Sequence, residues 1–266
     1  MTGDCYSFAM TSAAPAQEPQ VLVADDDPVS LQFLASALRE LDCEVTAVAN
    51  GTAVLAACKQ GRFDLLLLDR RMPDLGGVEL LHRLRERGCD VIAIATSAEL
   101  NADMRSELTR AGYVEALTKP IGIDRLERLL AERTCHWRTR EVRATSTHAA
   151  SASALLDDGA GLASVGGDAK ALRALRGLLM QELNTSIARI ATMQTPMLTA
   201  ELRDYLHRLR ASCRYCGTPL LGAVAERLDA KLRADDKSIG MELDEFIASC
   251  AQTSAALAAQ VSPETP

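Results

Sequence analysis

Four consecutive leucines closed at each end by aspartate, Asp64-Leu65-Leu66-Leu67-Leu68-Asp69, leave a chain few places to put them. Unbroken apolar character over so short a span reads as a strand buried on both faces of a parallel sheet. Asp69 then falls where that strand ends and its loop begins. In open parallel sheets, ligands and chemistry gather at those carboxyl ends. A carboxylate there serves as a metal ligand, a nucleophile or a loop cap, and Asp69 alone does not decide among them.

Three further strand ends add to it. Val21-Leu22-Val23-Ala24 runs into Asp25-Asp26-Asp27-Pro28. Asp27 before Pro28 reads as a helix N-cap with proline at the first helical position, which leaves Asp25 and Asp26 without a structural task. Like charges this close repel, so a cation offsets them or one holds a proton. Beside the Asp69 strand, three carboxylates converge on an oxygen-rich site that suits magnesium. The apolar run Val91–Ala95 ends in Thr96 and Ser97, and the run from Val114 ends in Lys119-Pro120.

Acid pair, acid, hydroxyl and lysine, each at a strand end and in that order, resemble response-regulator receiver domains over about residues 19–133. The resemblance implies that Asp69 accepts a phosphoryl group. It implies that Asp25, Asp26, Asp69 and the backbone carbonyl of Arg71 bind Mg2+, and that Thr96 and Lys119 hold phosphoryl oxygens. These residue types fit the chemistry, because a carboxylate attacks an anionic phosphoryl group only once charge is neutralised. One position departs: the family usually carries Tyr or Phe three residues before the lysine, and here it is Ala116. The usual aromatic switch is therefore missing.

Between these strand ends the apolar period changes to that of helices. Leu31, Leu34, Leu38 and Leu41 recur at helical spacing, Cys43–Ala49 is strand-like, and Val78–Leu84 forms a helix that Gly88 stops. Strand and helix alternate five times, ending in Ile121–Glu132, which predicts a doubly wound, flavodoxin-like α/β domain with a five-stranded parallel sheet. His82 lies among leucines, in a surface or packing role. The first 133 residues hold 21 acids against 14 Lys and Arg, and the rest hold 15 of each. An acidic half argues against nucleic acid as a partner. Residues 1–18 read as a disordered tail without a signal-peptide core. No segment has the apolar length of a membrane span, so a cytoplasmic location and eight reduced cysteines are expected.

Residues 134–153 are small and polar with no apolar period, a linker. Cys135-His136 within it lacks a matching pair at zinc spacing. From 154 to 260 the pattern is helical throughout, followed by a short tail at 261–266. Gly166-Gly167-Asp168 reads as turn and N-cap, followed by a stripe of Leu172, Leu175, Leu179 and Leu183. A helix from about Ala200 carries Leu202, Leu206, Leu209, Cys213 and Cys216 as a bundle-facing seam. His207, Arg210, Ala211 and Arg214 form the neighbouring stripe. Gly217 closes that helix, Pro219 opens the next, and 220–234 and 241–259 supply two more, giving a four-helix bundle. Cys213 and Cys216 have CxxC spacing but sit on the apolar seam at a helix C-terminus, which favours packing over redox chemistry.

His207-Arg208-Leu209-Arg210-Ala211-Ser212, with Gly217 ten residues after the histidine, resembles the motif of histidine phosphotransfer (HPt) domains, such as those at the ends of hybrid sensor kinases. Arg210 stands where Lys is usual and Ala211 where Gly is usual. The resemblance implies that His207 accepts a phosphoryl group with Arg210 offsetting its charge. Taken together, the two domains imply a phosphorelay intermediate rather than an enzyme with its own ATP-binding domain. Its partners would be a sensor histidine kinase acting in trans, of the hybrid kind, and a downstream response regulator. The alternative is an unphosphorylated scaffold or decoy that binds such partners, suggested by Ala116 and Ala211.

Overall fold

The computed structural model describes residues 18–133, 154–192, 195–234 and 239–261. The linker at 134–153, with Cys135-His136, and nearly all of both terminal tails lie outside them. Five parallel strands, β1 (Gln20–Ala24), β2 (Glu44–Val48), β3 (Leu65–Asp69), β4 (Ile92–Ser97) and β5 (Glu115–Thr118), form one sheet in the order 2-1-3-4-5. The four leucines of β3 are fully buried at its centre. Successive side chains along a strand point to opposite faces, so Leu65 and Leu67 enter one core and Leu66 and Leu68 another. Helices α1 (Pro28–Glu40) and α5 (Ile123–Arg133) cover the first face. The second is covered by α2 (Gly51–Gln60), α3 (Gly77–Glu86) and α4 (Ala102–Arg110).

Local chemistry accounts for the helix starts. Asp27 Oδ1 accepts the Val29 N–H at 3.2 Å, with Pro28 in the first turn of α1, and Asn50 caps α2 through the Ala53 N–H at 2.8 Å. At Gly77, which opens α3, a Cβ would lie 3.1 Å from the Arg70 Cα and 3.2 Å from the Asp69 carbonyl oxygen. Close approach of backbones therefore fixes glycine beside the Asp69 loop.

A short helix α6 (Asp158–Ser164) leads into α7 (Ala169–Thr192), α8 (Thr195–Cys216), α9 (Pro219–Arg233) and α10 (Gly240–Val261). Each long helix packs on the next and α10 closes on α7, so the second half is a four-helix bundle with a leading turn. Asp168 caps α7 through the N–H groups of Lys170 and Ala171. Helix α8 starts five residues before the expected Ala200, at Thr195. Gly217, with φ +63°, ends α8, and a Cβ there would collide with the Asp157 carbonyl oxygen. All six cysteines among the described residues are free thiols. Cys213 and Cys216 are buried in the bundle core.

The two halves share a core. Helix α1 packs against α7 and α8, and Phe33 lies 4.7 Å, centroid to centroid, from the fully buried ring of Tyr215. The Tyr215 hydroxyl accepts the Ile121 N–H at 3.0 Å. An aromatic buried to this degree removes about 150–250 Å2 from water. The bundle is thus seated on the α1 side of the sheet domain rather than tethered beside it. No described helix is long and apolar enough to cross a membrane.

Candidate functional site

The carboxyl ends of β1, β3, β4 and β5 bring the predicted residues together. Asp25, Asp26 and Asp69 each offer an oxygen such that all three lie within 4.8 Å of one another. The Lys119 ammonium bridges two of them, 2.5 Å from Asp25 Oδ2 and 3.0 Å from Asp69 Oδ1. Asp25 also accepts the Ser30 hydroxyl at 2.6 Å, and Asp69 Oδ2 accepts the Arg71 N–H at 3.2 Å. In the β3–β4 register Thr96 stands opposite Asp69. The Thr96 side chain is buried and its Oγ1 has no hydrogen-bond partner among the described residues. Ala116 is buried and its carbonyl accepts from Arg105 at 2.8 Å, so no aromatic ring occupies that position.

Burial sets the electrostatics of this cluster. It pushes the Asp69 carboxyl up to about 7, with Lys119 pulling it back and Asp25 adding to the rise. Burial opposes the charge of Lys119, yet Asp25 and Asp69 together raise its pKa. Strong mutual perturbation of buried groups in a cleft marks this cluster as a candidate functional site. The donor set, three carboxylates with the buried Asp26 Oδ1 left without a partner, fits a hard cation such as Mg2+.

The His207 stripe of α8 meets this same face. A cavity of about 230 Å3 is lined by His207, Arg208 and Asp204 of α8 together with Asp26, Arg70, Arg71 and Met72 of the receiver. Arg208 reaches Asp26 Oδ2 at 3.0 Å, and the Ser212 hydroxyl lies 2.8 Å from both oxygens of Asp27. Arg210 pairs with Glu99 of the receiver, with Glu226 at 3.2 Å and with Asp229 at 3.7 Å. Arg214 donates to the carbonyls of Ala98 and Lys119, each at 3.1 Å.

Two expectations change. The stripe next to the bundle-facing seam does not face solvent: His207 is buried against the sheet domain, with its Nδ1 unpartnered among the described residues. Burial, then Arg71 and Lys119, lower its pKa to about 3, so the imidazole is neutral. Nor does Arg210 stand free beside it, since three carboxylates hold its guanidinium. The charges that bear on His207 are those of Arg71, Lys119, Glu99 and Arg70. Sequence reasoning gave no role to Arg208, Ser212, Glu99 or Tyr215. Their partners lie across the domain interface, and no local pattern announces them.

The sheet order and the acid–lysine cluster define a receiver domain, and residues 21–131 match the family model for the response regulator receiver domain. Over 243 residues, 87% of this chain and 26% of the relative, the chain is 28% identical to the sensor histidine kinase GacS of Pseudomonas protegens. It is 27% identical over 231 residues, 84% of this chain, to the signal transduction histidine-protein kinase BarA of Escherichia coli K12. The chain therefore spans about a quarter of the length of the curated relatives it matches. Among solved structures it is similar to the magnesium-bound receiver domain of the sensor histidine kinase PA1611 of Pseudomonas aeruginosa. That match is 30% identical with a TM-score of 0.41, covering 44% of this chain and 98% of that one.

Proposed function

We propose that this chain is a phosphorelay intermediate in which Asp69 and His207 carry the phosphoryl group and exchange it with each other inside one chain. The observation that supports this reading is the docking of α8, which sets a buried, neutral imidazole in a cavity lined by Arg70, Arg71 and Met72, the loop that directly follows Asp69. A decoy has no need of a desolvated histidine at that spot.

In the forward step an Asp69 oxygen attacks the phosphorus of a donor phosphohistidine. The O–P bond forms, the N–P bond breaks, and the donor imidazole, which carries a proton on its other ring nitrogen, leaves as the neutral base. Lys119, already 3.0 Å from Asp69, neutralises charge on the acyl phosphate, and Thr96 Oγ–H donates to a phosphoryl oxygen. Asp25, Asp26, Asp69 and the Arg71 carbonyl would hold Mg2+, which when bound supplies further neutralisation of phosphoryl charge. His207 then attacks the same phosphorus through a neutral ring nitrogen, releasing the Asp69 carboxylate. Arg210 fastens α8 to Glu99 and so helps hold the helix that carries His207 against this face. The first donor would be a sensor histidine kinase in trans, and the final acceptor a response regulator.

The test is incubation of the full chain with magnesium and a small phosphodonor, followed by mapping of the labelled residues. Acid-stable label on Asp69 and acid-labile label on His207 are expected, and Asp69→Asn should lose both. Labelling unaltered by Asp69→Asn refutes the assignment.

A further inference from the structure

Two cations neutralise the three acids of the site, and one of them comes from the other domain. Lys119 serves Asp25 and Asp69, and Arg208 of α8 faces Asp26, with its guanidinium 3.0 Å from Oδ2. The Asp26 side chain is only 9% exposed. Its other oxygen, Oδ1, is buried with no hydrogen-bond partner among the described residues. Arg208 also has a second acid nearby. A cleft of about 570 Å3 between the domains is lined by Asp26, Arg208 and Glu182 of α7. Glu182 is a half-buried acid whose Oε2 is buried and unpartnered among the described residues, and Arg208 and Asp26 both act on it electrostatically.

We propose that Arg208 is a resident counter-ion of Asp26, displaced onto Glu182 when Mg2+ enters the receiver site. This rests on the reading of Asp25, Asp26 and Asp69 as the magnesium site. A divalent ion and a guanidinium bound to one carboxylate at contact distance repel each other, and magnesium demands short, near-octahedral oxygen contacts. One cation therefore leaves, and the arginine has a nearby acid to accept it. In the metal-free site the two cations offset the clustered negative charge, and metal entry is felt in α7 and α8. By reciprocity, whatever strengthens the Arg208–Asp26 pair weakens metal binding by the same factor.

The measurement is isothermal titration of MgCl2 into the full chain. Arg208→Ala should bind Mg2+ about fivefold more tightly or better, the lower end of ordinary coupling between two sites. Glu182→Gln should bind it more weakly, because the displaced arginine loses its acceptor. In the Arg208→Ala background Glu182→Gln should have no such effect. Arg208→Gln, compared with the wild type by circular dichroism, serves if the alanine variant does not fold. Unchanged or weaker affinity in the Arg208 variants, or equal weakening by Glu182→Gln in both backgrounds, overturns the proposal. Asp26→Asn separates the two levels. If it leaves Mg2+ affinity unaltered, the metal site itself is misassigned. If it weakens binding while the Arg208 variants do not tighten it, only the counter-ion role fails.

Discussion

Acidification should loosen the bundle from the receiver through His207. In the docked chain this imidazole is neutral, its pKa lowered from 6.5 to about 3 by burial and by the Arg71 and Lys119 charges. Once α8 leaves the receiver, the ring regains water and titrates near its ordinary value. Below pH 6.5 the undocked or unfolded state takes up a proton that the docked state refuses. Stability contributed by the neutral ring is therefore complete above 6.5 and is lost as pH falls towards 3. At pH 5 the loss is about 2 kcal/mol, from roughly 1.4 kcal/mol per pH unit over the interval below 6.5. Asp26, Asp27, Asp69 and Glu182 oppose this trend. Burial raises each of their pKa values, so their folded forms gain protons first on acidification. A comparison with His207→Gln isolates the histidine. Urea unfolding at pH 7 and pH 5 should show the wild type losing about 2 kcal/mol more than the variant. Equal pH responses in the two chains would show that His207 is not held neutral against the receiver.

Other consequences can be checked separately. Tyr215→Phe should cost about 1–3 kcal/mol in unfolding free energy, because the buried Ile121 N–H loses its acceptor while the ring contact with Phe33 remains. Gly217→Ala should lower the melting temperature by several degrees, since the methyl meets the Asp157 carbonyl at a backbone angle that favours glycine. Amide shifts on adding the phosphoryl mimic beryllofluoride should concentrate in the Asp69 and Thr96 loops, because Ala116 has no ring to move. Broad shifts across α4, β5 and α5 would contradict that.

What the sequence disclosed and what it withheld divide along a physical line. The run Leu65–Leu68 reads as a doubly buried strand, and Asp27-Pro28 as a helix opening, because both signals act over a few residues. Asp25, Asp26, Thr96 and Lys119 were legible because a parallel sheet lines up its strand ends whatever the details of packing. The start of α8 was placed too late although Thr195-Pro196 is itself a helix-opening pair. The burial of His207 was not legible at all. Arg70 and Arg71, which help set its pKa, lie more than 130 residues away, and an exposed helix face and a docked one have the same periodicity. For the same reason the carboxylates that hold Arg210 were not legible beside its implied role of offsetting phosphoryl charge. Its partners Glu99, Glu226 and Asp229 come from three segments that meet only in the folded chain.

The most direct measurement follows the phosphoryl group from Asp69 to His207 inside one molecule. Chains carrying Asp69→Asn and chains carrying His207→Gln are mixed and incubated with magnesium and a small phosphodonor, beside the wild type alone, and acid-labile phosphate is read on His207. Transfer within one chain predicts rapid labelling of His207 in the wild type, independent of protein concentration, and little or none in the mixture. Labelling of the mixture at the wild-type rate, or of His207 in the Asp69→Asn chain by itself, would contradict the account.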